Sequence, residues 1–226
     1  MERCEGVRGM CGLYMFGATG KAGRYIMREA LLRNHTVKAF VRDISKVKEV
    51  PTEIVEKDIF NITVDDLKDL DVVVNAFGAP LGQEHLHVEA GRHLIGLLQQ
   101  CKNTRYLVVG RAGSLFLDKH KIIRVCDTTS FPEAWRSTAR NQLQNLNDLQ
   151  NSSINWTFLS PSAIFDPSGP RTGHYTVGKD IVIRNKQQTS YVSYADYAVA
   201  VIDEIEKSEH INEHFTVASE NNTSAS

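Results

Sequence analysis

Residues 11–23 read CGLYMFGATGKAG and contain the strongest local pattern in the chain. Its first six residues form an apolar run typical of a buried strand, and glycines then recur at three-residue intervals before an amphipathic pattern begins at Lys21. Gly17 suits a tight turn, Gly20 leaves room for a pyrophosphate, and Gly23 allows close packing of helix on strand. N–H groups at the start of the helix favour a bound anion. The stretch therefore predicts a dinucleotide-binding loop, with turn geometry alone as the alternative.

The alternation of apolar runs and helical patterns continues along the chain. Runs rich in Val, Phe, Leu and Tyr predict buried strands, and the segments between them predict amphipathic helices. The expected strands are 11–16, 36–41, 71–76, 105–109 and 155–159, and the expected helices are 21–33, 83–100 and 132–149. Strands that alternate with helices imply a parallel sheet covered on both faces. We therefore expect a single α/β domain with a doubly wound, Rossmann-like parallel sheet.

The domain is expected to occupy residues 11–218, with substrate-side elements towards its C-terminal end. A flexible segment at 1–10 and a disordered tail at 219–226 are expected to flank it, because both are polar and aperiodic. The four cysteines contain no C-x-x-C pair, so the sequence predicts reduced thiols rather than a disulfide framework or a zinc site. They are Cys4, Cys11, Cys101 and Cys126.

Composition narrows the classes of partner. The 226 residues include 26 Lys+Arg and 27 Asp+Glu, for a net charge of −1, without a basic stripe. This balance argues against nucleic acid or an anionic membrane as the main partner. No apolar run approaches the roughly 20 residues that span a bilayer, and the polar start MERCE is unlike a secretory signal. We expect a cytoplasmic protein, a monomer or homodimer, that acts on a small molecule.

The end of the second predicted strand bears on which dinucleotide binds. There an acidic residue would bond the ribose hydroxyls, whereas an arginine would accommodate a 2′-phosphate. Arg42 comes first, Asp43 suits the N-cap of the next turn, and Lys46 adds a second positive charge. We therefore favour NADP(H) over NAD(H), with a solvated charged turn as the alternative.

Seven short stretches carry a family resemblance. They are GATGKAG at 17–23, VRD at 41–43, KDI at 57–59, NAFG at 75–78, VGRAGSL at 109–115, WTFLSPS at 156–162 and RTGHY at 171–175. The first four resemble the atypical short-chain dehydrogenases with NAD(P)H-binding, NmrA-like domains. The last three are similar to the branch named for NADH-flavin reductases, and RTGHY is the most discriminating. The resemblance covers residues 11–218.

The resemblance implies a cofactor site along the carboxyl ends of the strands. Asp58 would bond the adenine amino group with Ile59 beside the ring, and residues 76–78 would pass under the ribose and pyrophosphate. Residues 160–163 would close over the nicotinamide from the far side. With the loop and Arg42, the expected cofactor-binding residues are Gly17, Ala18, Thr19, Gly20, Lys21, Ala22, Gly23, Arg42, Asp58, Ile59, Ala76, Phe77, Gly78, Gly110, Ser160, Ser162 and Ala163.

The reacting end of the site is also expected from the resemblance. Ser114, near the nicotinamide, is the catalytic candidate, and Phe165, Arg171 and Tyr175 would lie near the acceptor. Phe165 would be the flat partner of the acceptor ring, whereas Trp135 and Trp156 are expected in the core.

The sequence departs from the family pattern in two places. The helix predicted at 132–149 lacks the Tyr-x-x-x-Lys of the standard dehydrogenases, and Arg111 stands where relatives commonly have a second glycine. Its guanidinium is expected near the nicotinamide or the substrate. Tyr175 and Lys179 do spell Tyr-x-x-x-Lys, but the glycines and β-formers around them predict a strand or loop, where the two side chains lie far apart.

Histidines offer two further candidates. His85, Glu89 and His93 recur every four residues on one predicted helix face and could in principle hold a metal. Because the row flanks the apolar stripe, a solvated face with Glu–His pairing is the simpler interpretation, and we assign no metal. His174 could donate a proton to a reduced product, with a surface histidine as the alternative.

These observations predict an NAD(P)H-dependent reductase. Hydride would pass to a planar conjugated acceptor such as a flavin or quinone, which delocalises charge and so fits the missing tyrosine. The alternative is a non-catalytic NAD(P)-sensing regulatory protein of the NmrA type. An epimerase or dehydratase ranks third, because those enzymes also need the helical tyrosine and lysine.

Overall fold

Among the residues that the structure describes, ten strands and four α-helices form a single Rossmann-like α/β domain. The computed structural model describes residues 10–48, 50–68 and 70–221. The helices are α1 (Lys21–Leu32), α2 (Leu86–Leu98), α3 (Glu133–Gln150) and α4 (Tyr194–Lys207). The strands are β1 (Gly12–Phe16), β2 (Thr36–Val41), β3 (Glu53–Glu56), β4 (Val72–Asn75), β5 (Arg105–Val109), β6 (Asn155–Ser160), β7 (Ile164–Asp166), β8 (Thr176–Gly178), β9 (Tyr191–Ser193) and β10 (Glu213–Ala218).

Eight of the strands form one sheet, in the order β3-β2-β1-β4-β5-β6-β10-β8. All neighbours are parallel except β8, which runs antiparallel to β10 at the edge. The strand order reverses between β1 and β4, and this switch point is where dinucleotides bind in such sheets. β7 and β9 form a separate two-stranded parallel sheet. The predicted doubly wound sheet is therefore confirmed.

Hydrophobic residues on the two faces of the sheet build two cores. On β1, Leu13 and Met15 enter the core beneath α1 and α4, whereas Phe16 enters the core beneath α2 and α3. A strand alternates its side chains between faces, so a run that is apolar on both faces needs helices on both. This is why the apolar runs of the sequence indicated a covered sheet.

The predicted helix boundaries hold to within three residues. α1 ends next to Asn34, which adopts the left-handed conformation that its residue type predicted, at φ 63°. Pro132 is the N-cap of α3, one position before its first helical residue. β7 to β9 have only three residues each, too few for a periodic pattern to reveal them.

The structure corrects the expected boundary of the C-terminal tail and the expected state of one cysteine. Ser219, the first residue of the predicted tail, is buried and donates its N–H to the Tyr191 carbonyl, so it belongs to the packed domain. Residues 1–9 and 222–226, with Cys4, lie outside the described residues.

Cys101 and Cys126 are free thiols, whereas Cys11 is disulfide-bonded, which corrects the expectation for that residue. The expectation depended on the absence of a C-x-x-C motif, and that motif does not reveal disulfides between cysteines with a different spacing. Along the described ranges, no helix is both long and apolar enough to cross a bilayer.

Candidate cofactor and acceptor cleft

A cleft of about 660 Å³ runs along the carboxyl ends of the parallel strands. Loops that follow β1, β2, β4, β5 and β6 form its floor, and residues from α2, α3 and α4 form its walls. Ligands of open α/β sheets bind at this edge because the loops there diverge at the switch point. Predicted residues that line it are Gly17, Thr19, Gly20, Lys21, Ala22, Arg42, Ile59, Ala76, Phe77, Gly78, Gly110, Ser162, Ala163 and Phe165.

The glycine loop after β1 ends in an open anion site. Gly17 has a φ of 76°, and a Cβ on it would collide with the Ala76 carbonyl. Gly23 packs so closely on the Gly17 carbonyl that a side chain there has no space. The N-terminus of α1 has no side-chain cap and no acidic residue in its first turn. Its free N–H groups and its dipole therefore favour an anion from the cleft, as a dinucleotide pyrophosphate requires.

The end of β2 presents an arginine and no acid to the cleft. Arg42 is exposed at the rim. Asp43 accepts hydrogen bonds from the Ser45 N–H at 3.0 Å and from the Ser45 hydroxyl at 2.6 Å, so it caps the short turn that follows. Lys46 lies 3.2 Å from Asp43 and outside the lining of the cleft, so the second positive charge expected there is paired with that carboxylate. Instead Lys57 lines the cleft, paired with Asp66 at 2.6 Å.

Beyond β4 and β5 the floor is made of backbone. The Asn75 side chain accepts from the Phe77 N–H at 2.9 Å and donates to the Tyr106 hydroxyl at 2.7 Å, which fixes the turn after β4. Gly110 donates its N–H to the Leu159 carbonyl at 2.8 Å and lies against the Phe158 ring. A flat floor of this kind allows a ligand to lie close to the main chain.

Aromatic rings and a guanidinium enclose the far end of the cleft. The Phe165 and Tyr194 ring centroids are 3.9 Å apart, and the Arg111 guanidinium lies over the Trp135 ring at 5.7 Å. Trp156 is buried as expected, but Trp135 is 52% exposed and lines the cleft, which corrects its placement in the core. Its position at the start of α3, beside a cavity, leaves one face uncovered.

Two further side chains at this end carry polar atoms. Gln142 is buried, and its Oε1 has no hydrogen-bond partner within the described part of the chain. Such an atom is costly unless a ligand or water supplies a donor. His87 lies beneath Phe77, and its Nε2 is 3.4 Å from the Ala79 N–H.

Burial shifts the pKa values at this end. Burial first, and then the positive charge of Arg111, lower the His87 pKa to about 4, so its imidazole is neutral at pH 7. Burial raises the Tyr194 pKa, although Arg111 opposes the shift, and the phenol therefore stays protonated. Burial also lowers the pKa of Arg111, with Tyr194 acting in the opposite direction. The only formal charge in this group is that of Arg111.

Ser114 and Ser160 do not line the cleft. Both are buried, and their hydroxyl oxygens are 2.8 Å apart. The Ser160 hydroxyl also bonds His214 Nε2 at 2.9 Å, and burial lowers the His214 pKa to about 4. The structure thus places the catalytic candidate in a closed polar cluster behind the floor, because the turn Ala112–Ser114 directs its last side chain inward.

Arg171 and Tyr175 are also placed away from the cleft. Arg171 bonds the Glu29 carboxylate, and the Tyr175 hydroxyl donates to Asp203 at 2.6 Å. Both contacts attach the segment after β7 to the outer helices α1 and α4. His174 is exposed and outside the lining, in agreement with the surface alternative.

The remaining predicted residues have structural partners. Ala18 is buried beneath the loop, and Asp58 caps a short turn by accepting from the Phe60 N–H at 3.0 Å, next to the rim at Arg42. His85 and Glu89 are exposed and 3.8 Å apart, a pairing of the kind expected for a solvated face. Within the described ranges no cluster of His, Cys, Asp or Glu suits a metal ion.

Sequence reasoning missed the residues contributed by α2, α4, α3 and the two residues that precede α3. They are His87, Phe131, Pro132, Trp135, Ala139, Gln142 and Tyr194. Three helices bring them together from distant parts of the chain, so no local motif marks them. Arg111 was singled out by its departure from the family pattern, and it does line the cleft.

Comparison with known proteins agrees with this site. A family model described as NAD(P)H-binding matches residues 17–205. The chain belongs to this NAD(P)H-binding family. The matched range begins at the glycine loop and includes every loop that lines the cleft. Membership of this family supports the binding of a nicotinamide cofactor by this chain.

Individual relatives extend over nearly the whole chain. YwnB of Bacillus subtilis (strain 168), described as uncharacterized, is 59% identical over 207 residues, which are 91% of this chain and 97% of YwnB. The crystal structure of SP1627 from Streptococcus pneumoniae TIGR4, described as a candidate NADH-flavin reductase, is 39% identical with a TM-score of 0.87 and covers 93% of this chain and 100% of that one. Lmo0794 from Listeria monocytogenes is 35% identical with a TM-score of 0.61, covering 92% and 99%. The family and the SP1627 structure support an oxidoreductase.

Proposed function

We propose that the protein is an NAD(P)H-dependent reductase that delivers hydride to a planar conjugated acceptor such as a flavin or quinone. The observation that carries this proposal is the cleft itself. It joins the open N-terminus of α1 to an end walled by Phe165, Tyr194 and Trp135. An anion site at one end and aromatic rings at the other suit a dinucleotide lying against a flat acceptor.

In this proposal, the residues of the chain bind and orient the cofactor and the acceptor. The loop after β1 and the first N–H groups of α1 would hold the pyrophosphate, and Arg42 would pair with a 2′-phosphate. For this reason NADPH is proposed as the preferred cofactor. The Gly110 floor would position the nicotinamide, and the Phe165–Tyr194 pair would stack on the acceptor. Holding both reactants in place can supply much of the rate enhancement.

The proposed reaction needs little acid–base help from a side chain. When bound, NAD(P)H supplies a hydride, that is, two electrons and one proton, and is itself oxidised. A conjugated acceptor spreads the resulting negative charge over its rings, and its second proton can come from water. Tyr194 and His87 are both neutral hydrogen-bonding groups at pH 7, so neither is poised as a strong acid.

A sensor function is the second candidate. Ser114, the only side chain that the sequence assigned to catalysis, is buried and bonded to Ser160 instead of facing the cleft. A protein that bound NAD(P)(H) and reported it to a partner would need no reactive side chain.

Under the reductase proposal, the protein is cytoplasmic, and its partner is a small-molecule acceptor.

The decisive experiment compares binding with turnover. Purified protein is mixed with NADPH or NADH, and oxidation is followed by absorbance with FMN, riboflavin and simple quinones as acceptors. Binding is measured separately through the fluorescence of Trp135, which lines the cleft. Turnover with any of these acceptors supports the reductase. Tight binding without oxidation by any acceptor would favour the sensor, and the Gly20→Val variant serves as the binding-deficient control for both readouts.

A further inference from the structure

The charges of the cleft are all positive. Among the described residues that line it, none is Asp or Glu, and the cations are Lys21, Arg42, Lys57 and Arg111. Lys57 is already neutralised by Asp66 at 2.6 Å. Lys21 and Arg42 stand at the end where α1 begins, and under the proposed function the phosphates of the cofactor meet them there. Arg111 is thus the one lining cation that neither a carboxylate nor the expected phosphates account for.

Strand spacing places Arg111 far from the phosphate end. It follows β5, whereas Arg42 follows β2, and the strands between them are ordered β2-β1-β4-β5. Neighbouring strands are about 4.8 Å apart, so three steps separate the two loops by roughly 14 Å. The pyrophosphate site at the start of α1 lies above β1, two strands away from Arg111. One dinucleotide pyrophosphate therefore does not serve both places.

The surroundings of Arg111 leave its N–H donors available. Its side chain is exposed where it lines the cleft, and burial of the surrounding part lowers its pKa. Within the described ranges it forms no ion pair, and its guanidinium makes no hydrogen bond; its close neighbour is the ring of Trp135. Its N–H donors are therefore available to an anionic group of a ligand in the cleft.

We propose that Arg111 binds an anionic group, a carboxylate or a phosphate, carried by the acceptor. The inference rests on the proposed function and deepens it, because it assigns the acceptor to the class of planar conjugated anions. A guanidinium offers paired N–H donors that match both groups, and stacking on Trp135 would fix its plane. His87 and Tyr194 are neutral, so they can bond the same ligand without competing for its charge.

Matched acceptors test the charge alone. FMN and riboflavin share one ring system and differ in a phosphate, and anthraquinone-2-carboxylate differs from anthraquinone-2-carboxamide in a single charge. kcat/KM is measured with NADPH for all four, and Kd is measured by calorimetry on protein saturated with NADP⁺. The variants are Arg111→Gln, Arg111→Lys and the control Arg140→Gln, which removes an exposed arginine of α3 outside the cleft.

The wild type and Arg140→Gln are expected to prefer the charged member of at least one pair by about tenfold or more, the usual value of a charge-assisted hydrogen bond. Arg111→Gln should lose that preference and keep its NADPH affinity within a few-fold, which also shows that it is folded. Arg111→Lys should retain part of the preference for the charged acceptor. Preference within the flavin pair identifies a phosphate, and preference within the quinone pair identifies a carboxylate.

Several results would overturn the inference. The inference is wrong if the wild type shows the same kcat/KM and Kd for the charged and uncharged members of both pairs. It is also wrong if the preference for the charged member survives in Arg111→Gln, or if none of the four compounds binds. If no compound is reduced, the proposed reductase fails, but the Kd values still decide the role of Arg111 by the same criteria. Failure of the function and failure of the inference therefore give different patterns.

Discussion

Arg171 and Glu29 form a paired contact between residues 142 positions apart in the sequence. The guanidinium donates from Nε to Oε2 and from Nη2 to Oε1, each at 2.8 Å. Glu29 is almost fully buried on α1 and accepts a third bond from Arg33. Burial alone would raise the Glu29 pKa, but hydrogen bonds from the two arginines hold it below its usual range. Through Arg171, the stretch RTGHY at 171–175, the most discriminating part of the family resemblance, thus attaches the C-terminal segment to α1.

Arg171→Gln is expected to reduce stability and leave catalysis intact. Loss of the paired hydrogen bonds to a buried carboxylate should lower the free energy of unfolding by about 1–3 kcal/mol, with Arg33 limiting the loss. Urea unfolding measures this, with Arg28→Gln, an exposed arginine of the same helix, as the control. A large drop in kcat/KM at unchanged stability would return Arg171 to the acceptor site.

Lys179→Ala and Tyr175→Phe are expected to leave single-turnover hydride transfer within a few-fold of wild type. The strand β8 separates the two residues, and four residues of extended chain span roughly 13 Å. Burial and the bond to Asp203 raise the Tyr175 pKa, the opposite of what a tyrosinate mechanism needs. Tyr175→Phe should instead cost about 1 kcal/mol of stability. A loss of two or more orders of magnitude in both variants would restore a tyrosine-dependent mechanism.

Gly20→Val is expected to abolish dinucleotide binding without unfolding the domain. Gly20 has an extended backbone with φ −72°, which any residue can adopt, and it is exposed at the cleft. A branched side chain there would fill the space above the N-terminus of α1. Fluorescence titration with NADPH measures binding, and Gly96→Val is the control, because a Cβ at Gly96 meets no other atom within 4 Å. Unchanged affinity in a folded Gly20→Val protein would contradict the site.

Arg42→Ala is expected to weaken NADPH about tenfold or more and NADH much less, because only NADPH has a 2′-phosphate to pair with the guanidinium. Lys46→Ala is the matched control, since Asp43 already engages that lysine. Kd values for both cofactors are compared in both variants. Equal weakening of NADPH and NADH by Arg42→Ala would refute the assignment.

Two buried histidines are expected to make the protein acid-sensitive. The pKa values of His87 and His214 are about 4 in the folded protein, against 6.5 for a free imidazole. Between pH 6.5 and 4 the unfolded chain binds protons that the folded chain does not. Stability should therefore fall as the pH falls through this window, by on the order of 3 kcal/mol per histidine near pH 4.

Urea unfolding at several pH values from about 7 to about 4 checks this dependence. His214→Asn should show a shallower decline than wild type, whereas His120→Asn, which removes an exposed histidine, should follow the wild-type curve. A parallel decline in wild type and His214→Asn would show that other groups control the acid response.

The βαβ start, the class of sheet and the place of the cofactor loop could all be predicted from the amino-acid sequence. Each depends on residues close together in the chain: glycines three apart, apolar runs of strand length and a helical period beginning at Lys21. Arg42 was found for the same reason, because it directly follows β2. Local spacing is enough to place such residues at the carboxyl edge of a parallel sheet.

Which side chains face the cleft depends on how distant elements pack, and this could not be predicted from local sequence. Ser114 follows β5 and Ser160 ends β6, yet their hydroxyls bond each other, and Ser160 also bonds His214, behind the floor of the cleft. Arg171 is taken by Glu29, while Trp135, expected in the core, is left uncovered beside Arg111. These outcomes depend on contacts between elements that are distant in sequence. A side chain's direction there is set by the volume and charge of its neighbours, which no local pattern encodes.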